Sequence, residues 1–447
     1  MNIHHKMKVV AIISIILFFS KTTMIAHDSY FTRKGTGPMY WIAYEYCIEN
    51  NVPIPEDRWK KNIDWMAVTF KDYGFDMISN DGWIETAQTV NTYGYITKYN
   101  SEWTNDFAYW NSYIKNKGMK VGVYYNPLWM TRTAYSLNTP VQGADIFAKD
   151  IVGNYSFNPE LHWIDVDKQG AEQWVKGYIR YFINLGFTFL RIDFLENYEE
   201  NYGPEKYEKA LRWIKEEAGD EMFLSLVMPN CYNNAETELK YGDMIRVSDD
   251  CYSGSWDFVS GRKRGVINSK WPRYWNVFDG LIAFSDIAGN SKMILDGDFM
   301  RMNTMANTDE KQFLFSLMCM TGSALAIADQ YDTIDDDCVA IYQNKEMIEL
   351  NRSGFVSKPL SNDINDKMNS SRWSGQLPDG DYVVGFFNRE DNDVQYGINF
   401  KTELGIENGI VANVLDLWEH KDLGSMYGEY VATLKPHSCK IIKIKQK

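Results

Sequence analysis

Short apolar runs that end in an acid or an amide recur along this chain, and most are followed by a stretch of helical periodicity. Phe75-Asp76-Met77-Ile78-Ser79 ends at Asn80 and Asp81, and Lys120-Val121-Gly122-Val123-Tyr124-Tyr125 ends at Asn126. Phe189-Leu190-Arg191-Ile192 ends at Asp193, the run at 221–227 leads to Asn230, and Met244-Ile245-Arg246-Val247-Ser248 ends at Asp249 and Asp250. Ile294-Leu295 leads to Asp296 and Asp298, and Leu325-Ala326-Ile327-Ala328 to Asp329. Gly37-Pro38-Met39-Tyr40-Trp41 opens the series, and Trp163-Ile164-Asp165-Val166-Asp167 reads as a further strand. Short, continuously apolar runs suit strands buried on both faces, the condition of a parallel sheet. Between them, residues 56–73, 105–117, 170–185, 207–218 and 309–321 carry apolar side chains at helical spacing, several of them stopped by glycine. About eight such strand–helix units close into a barrel.

The pattern changes near Gly354. Residues 381–388, 396–400, 411–418, 430–434 and 440–444 read as short strands separated by Gly, Asp and Pro turns, with no helix of length between them. The expected fold is therefore α/β: a (β/α)8 barrel over 27–353, followed by a C-terminal antiparallel β-sandwich over 354–447. Ahead of the barrel, Lys6 and Lys8 precede an apolar stretch at 9–19 that is too short for a membrane span. This predicts a signal peptide over 1–26 and an exported protein, periplasmic or secreted, with no membrane insertion once the leader is removed.

In a β/α barrel the chemistry sits at the C-terminal ends of the strands. The acids named above fall there. Arg191 and Asp193, two positions apart, share one face of their strand, which fits either a structural ion pair or a site. The chain has no HExxH, no Cys/His cluster at metal spacing, no GxSxG elbow and no Gly-rich phosphate loop, so no metal and no cofactor are expected. A net charge of −14 argues against nucleic acid as a partner. An aromatic share of 15%, with 15 Trp and 29 Tyr, suits a carbohydrate partner but equally suits a large core. Among six cysteines, Cys231 and Cys251 follow neighbouring strands and could form a bridge; buried thiols are the alternative. What remains is paired carboxylates in an aromatic setting, the equipment of glycoside hydrolysis.

On these motifs the chain resembles the glycoside hydrolase clan of the α-galactosidases and α-N-acetylgalactosaminidases (families 27 and 36). Asn80-Asp81-Gly82-Trp83 resembles the clan's Asp-Asp-Gly-Trp strand end, Arg191-Ile192-Asp193 its Lys-x-Asp nucleophile motif, and Arg246-Val247-Ser248-Asp249-Asp250 the strand carrying a sugar-binding arginine and the acid/base. Pro436-His437-Ser438 resembles the close of its C-terminal sandwich. The resemblance implies a retaining mechanism with Asp193 as nucleophile and Asp250 as acid/base, Asp249 being the alternative. It implies that Asn80, Asp81, Arg191, Asn230 and Arg246 bind the sugar with Asp249 beside them, and that Trp41 packs on it or else belongs to the core. Arg191 would hold Asp193 ionised, because a nearby cation favours the carboxylate. Two positions depart from the clan: Asn80 replaces an aspartate, and Arg191 replaces a lysine. Asn donates as well as accepts, and Arg does not substitute neutrally for Lys. An α-galactosidase is the leading reading. A β-L-arabinopyranosidase, an α-N-acetylgalactosaminidase, an isomalto-type α-glucosidase, a transglycosylase or a non-hydrolytic carbohydrate-binding barrel stay open.

Overall fold

A computed structural model of the chain describes residues 37–81, 89–158, 161–251, 254–267, 274–289, 292–407 and 409–446. The expected leader at 1–26, and Gly82 and Trp83 of the second strand end, lie outside the described residues. The barrel strands are β1 (Met39–Ile42), β2 (Met77–Ser79), β3 (Lys120–Tyr124), β4 (Phe189–Ile192), β5 (Phe223–Leu226), β6 (Met244–Arg246), β7 (Ile294–Asp296) and β8 (Leu325–Ile327). Each pairs in parallel with the next from β1 to β7. β8 pairs in parallel with β1. Past Gly297 and Asp298 the chain of β7 resumes as Phe299–Met300, which pairs with β8 and closes the ring.

The helices pack an apolar stripe on this ring. In Ala171–Leu185 the buried residues Trp174, Val175, Tyr178, Ile179 and Phe182 recur at three- and four-residue intervals. Gly186 ends that helix in the left-handed region, φ 82°, where a side chain would be strained. The chain then turns straight into β4. A helix over Tyr232–Tyr241 occupies a segment whose polar sequence gave only a link near its end. The run at Trp163 is not a barrel strand. Leu161–Ile164 pairs antiparallel with Trp129–Thr131 and with Val152–Asn158, in a small sheet inserted between β3 and β4. Apolarity marked the run as buried, but its partners come from the insertion itself.

In the C-terminal domain, Arg372–Gln376, Tyr382–Phe387, Cys439–Gln446 and Ile410–Asp416 are neighbours in one antiparallel sheet. Val394–Asn399 and Glu429–Leu434 form the second. Strand alternation divides the larger sheet between two cores. Val383, Phe387 and Ile441 pack with the barrel, whereas Val384, Phe386 and Ile442 pack within the sandwich. The domain is thus joined to the barrel by a continuous apolar face. Cys231 and Cys251 do not form the bridge considered from sequence; both are buried thiols.

Candidate active site

The C-terminal ends of β2, β4, β6 and β7 converge on a cluster of buried charge. Arg191 leaves β4 and crosses the barrel interior. Its Nε lies 2.8 Å from Asp81 Oδ2, its Nη1 2.7 Å from Asp296 Oδ2 and its Nη2 3.1 Å from Asp298 Oδ1. Arg246, from β6, binds the same Asp298 oxygen and also Asp250 Oδ1. Arg191, Arg246, Asp81, Asp296 and Asp298 are all buried. Such charges persist out of water only when paired. With Asp193, five carboxylates face two guanidinium groups, so the cluster cannot be neutral with every acid ionised. Two of these carboxyls are pushed up, with burial the first cause in each. Burial, countered by Arg191, raises Asp81 to about 7. Burial also raises Asp298 against the pull of Arg246 and Arg191.

Asp193 follows β4 directly. Its Oδ2 accepts from the Tyr124 hydroxyl at 2.6 Å and its Oδ1 from the Phe194 amide at 2.7 Å. The Asn126 side chain fixes the Asp193 carbonyl at 2.7 Å. Burial, then the charge of Asp250, push the Asp193 carboxyl above its ordinary range; the Tyr124 and Phe194 bonds and Arg191 oppose them. The chain is turned tightly around these strand ends. Phe194, Met228, Cys231 and Asp298 take positive φ of 58°, 51°, 52° and 70°. Non-glycine residues held in that region mark places where side-chain aim outweighs local strain.

Asp249 and Asp250 point differently. Asp249 Oδ2 pairs with Arg262 Nη1 at 2.8 Å, and its Oδ1 accepts from the Asp250 amide at 2.9 Å. Asp250 faces Arg246 and the Asp193 side of the cluster. A separate cavity of about 720 Å³, lined by Trp418, His420, Asn344 and Glu349, lies at the barrel–sandwich seam and includes none of these acids.

Against this geometry stand the likenesses to known proteins. The alpha galactosidase C-terminal beta sandwich domain family matches residues 369–444. An isomalto-dextranase from Arthrobacter globiformis is 42% identical over 453 residues, covering 94% of this chain and 69% of that protein. The chain belongs to the α-galactosidase-like glycoside hydrolases of the family 27 clan. The solved structure of an isomalto-dextranase from Arthrobacter globiformis T6, bound to panose, matches with a TM-score of 0.89 over 94% of this chain and 74% of that one. A family 27 β-L-arabinopyranosidase from Geobacillus stearothermophilus, bound to arabinose, shares the fold at 19% identity, with a TM-score of 0.77 over 93% of this chain and 98% of that one.

Within this glycoside hydrolase, Asn80, Asp81, Arg191, Asp193, Arg246, Asp249 and Asp250 gather at one end of the barrel. Asn80 Oδ1 accepts from the Tyr124 amide at 3.0 Å, which ties two strand ends together. Two further positions expected to meet the sugar lie inside the barrel wall, and Trp41 takes the core alternative. Trp41 has no exposed surface; its Nε1 donates to the Asp329 carbonyl at 2.8 Å and its ring packs on Trp59, so no face is open to a sugar. Asn230 is also fully buried, donating to Glu199 at 2.8 Å. The part expected of Arg191 is shared differently as well. Its three nitrogens are taken by Asp81, Asp296 and Asp298, and the direct bonds to Asp193 come from Tyr124 and the Phe194 amide.

Tyr124 was legible only as a strand residue. Its position at the end of β3, beside an amide-tipped turn, was the signal. Arg262 carried no sequence signal, because it lies in a loop and reaches back to Asp249. Among the described residues no group of acids, histidines and cysteines could hold a metal ion.

Proposed function

We propose that this protein is a retaining glycosidase of isomalto-dextranase type, which releases isomalto-oligosaccharide units from a dextran-like α-glucan. The likeness at 42% identity across 94% of the chain carries the substrate reading, and it favours glucan over the galactosyl substrate expected from the motifs alone. The paired Asp193 and Asp250 support the chemistry. Asp193 attacks the anomeric carbon and forms a glycosyl-enzyme while Asp250 protonates the departing oxygen. Asp250 then takes a proton from water, which attacks the same carbon and frees Asp193. The Tyr124 hydroxyl and the Phe194 amide favour the ionised nucleophile by hydrogen bonding to it. The basic, apolar leader at the N-terminus supports export to the periplasm or medium.

The test is a panel of nitrophenyl glycosides (α-isomaltoside, α-glucoside, α-galactoside, α-N-acetylgalactosaminide, β-L-arabinopyranoside) together with dextran. The anomer of the first product is read by NMR. Release of isomaltose from dextran with retention is expected. Preferential cleavage of the α-galactoside, or an inverted product, would overturn the reading. Asp250→Ala is expected to lose about 100-fold or more on dextran and to recover partly with azide on an activated aryl glycoside. Full activity in that variant would remove Asp250 from the mechanism.

A further inference from the structure

Two adjacent aspartates, Asp249 and Asp250, stand at the end of β6, and only one can be the proton donor. We propose that Arg262 settles that choice as a positioning residue: it engages Asp249 and leaves Asp250 to act as acid/base. The inference deepens the glycosidase reading above and rests on it.

Both oxygens of Asp249 are occupied, Oδ2 by Arg262 Nη1 at 2.8 Å and Oδ1 by the Asp250 amide at 2.9 Å. Its own amide donates to the Tyr274 carbonyl at 2.9 Å. Asp249 is thus held through both oxygens, whereas among the described residues the Asp250 carboxylate is held through Oδ1 alone, by Arg246, and stays the freer of the two to present a proton to a sugar. The guanidinium is itself held in place, its Cζ 5.1 Å from the Phe258 ring and 5.1 Å from the Trp275 ring. The groups that act on Asp249 are Arg262, Asp250 and Arg246. Burial raises its pKa and Arg262 is the largest opposing influence. Without Arg262, two neighbouring acids would compete for one proton.

The segment that carries Arg262 is braced from the second domain. It leaves Trp256, makes a turn over Asp257–Gly261, and closes with the Arg262 amide bonded to the Asp257 carbonyl at 2.8 Å. The His437 ring of the sandwich stacks on Trp256, with centroids 4.0 Å apart and planes 17° apart. Arg389, also from the sandwich, donates to Ser260 Oγ at 2.6 Å and to its carbonyl at 3.1 Å. The segment that carries the guanidinium is thus braced at Trp256 and Ser260 from outside the barrel.

The experiment uses Arg262→Met, Arg262→Lys and Asp249→Asn in the full chain. It compares kcat/KM on dextran with that on an activated aryl glycoside of the same sugar, whose leaving group needs little protonation. Arg262→Met is expected to lose about 10–100-fold on dextran and less than about 3-fold on the aryl glycoside, since only proton donation is impaired. Arg262→Lys keeps the charge and should recover most of the dextran activity. In an Asp249→Asn background, Arg262→Met should add little further loss. Equal losses on both substrates, or none, would overturn the proposal. So would azide rescue of Asp249→Asn, which would make Asp249 the acid/base. If Arg262→Met does not fold, Arg262→Lys and the azide arm still decide. Asp250→Ala separates the two levels: full activity there defeats the acid/base assignment itself, whereas loss there with indifferent Arg262 variants defeats only the role of Arg262.

Discussion

Two buried arginines, Arg191 at the strand ends and Arg389 at the seam between the domains, show opposite uses of the same side chain. Arg389 is matched to one acid: its Nη2 donates to Asp279 Oδ1 at 2.8 Å, and its Cζ lies 4.3 Å from the Phe278 ring centre. The other Asp279 oxygen accepts from the Gly265 amide and the Asn276 side chain. Arg191 has three acids around it and shares one of them, Asp298, with Arg246. Burial works against the charge of both. At Arg389 burial prevails, helped by nearby Arg264 and resisted by Asp279, and the pKa is lowered. At Arg191 the carboxylates outweigh burial and the pKa is raised well above its ordinary value. A balanced pair suits a joint between domains. At the strand ends burial comes first and like-charged neighbours add to it, so that Asp81 and Asp298 sit well above the ordinary carboxylate range, a state found where a site rather than a joint is built.

If that contrast is right, activity and stability should come apart under mutation. Asp193→Asn is expected to lower turnover of dextran by at least about 1,000-fold, because the covalent step loses its nucleophile. The same change should leave the melting temperature equal or higher, since it removes a buried charge pressed by Asp250. Calorimetry beside kinetics checks both; a large fall in melting temperature would show that Asp193 serves the fold. The seam should behave in the opposite sense. Arg389→Met strands Asp279 without its cation and is expected to cost about 3–5 kcal/mol in stability. Activity per folded molecule should fall far less than in Asp193→Asn, although Ser260 also loses its partner. Chemical denaturation with active-site titration measures the two separately. A stability change under about 1 kcal/mol would mean that the seam is held by its apolar face alone.

The same contrast explains what could be read in the chain beforehand. Strand ends were legible because a short apolar run closed by an acid has few other meanings, and Asp193 and the Asp249–Asp250 pair stood out for that reason, the choice of Asp250 coming from the family resemblance. The sandwich was legible from short strands parted by Gly, Asp and Pro turns with no helix between them, while the split of Val383 and Val384 between two cores appears only in the structure. Long-range partners were not legible. Asp296 and Asp298 were visible as strand-end acids, but nothing local says that they meet Arg191 from across the barrel. Trp41 stayed open between a sugar platform and the core because a tryptophan at a strand end suits both, and its packing on Trp59 appears only in three dimensions. Sugar identity was the hardest part. It depends on loop contacts around the ring, and the motifs that mark the clan lie on the strands that its members share.

The smallest expected effect separates the two regions by pH. Glu196, three residues after Asp193, is raised to about 8 by burial and then by Asp193. Glu238, which accepts from the Tyr207 hydroxyl at 2.8 Å, is raised to about 7 by burial. A carboxyl raised in the folded state binds its proton more tightly there than in the unfolded chain. Its contribution to stability is complete below the unfolded value near 4.5 and is lost as pH rises through 7 to 8. The melting temperature should therefore decline between about pH 5 and pH 8.5. Glu238→Gln should flatten that decline by about 1–2 kcal/mol, because an amide has no proton to lose. Arg389→Met combined with Asp279→Asn should lower the whole curve without changing its slope, because neither a guanidinium nor an amide titrates in this range. A slope that follows Arg389 and ignores Glu238 would place the pH-sensitive charge at the seam and would reverse the division between the two regions.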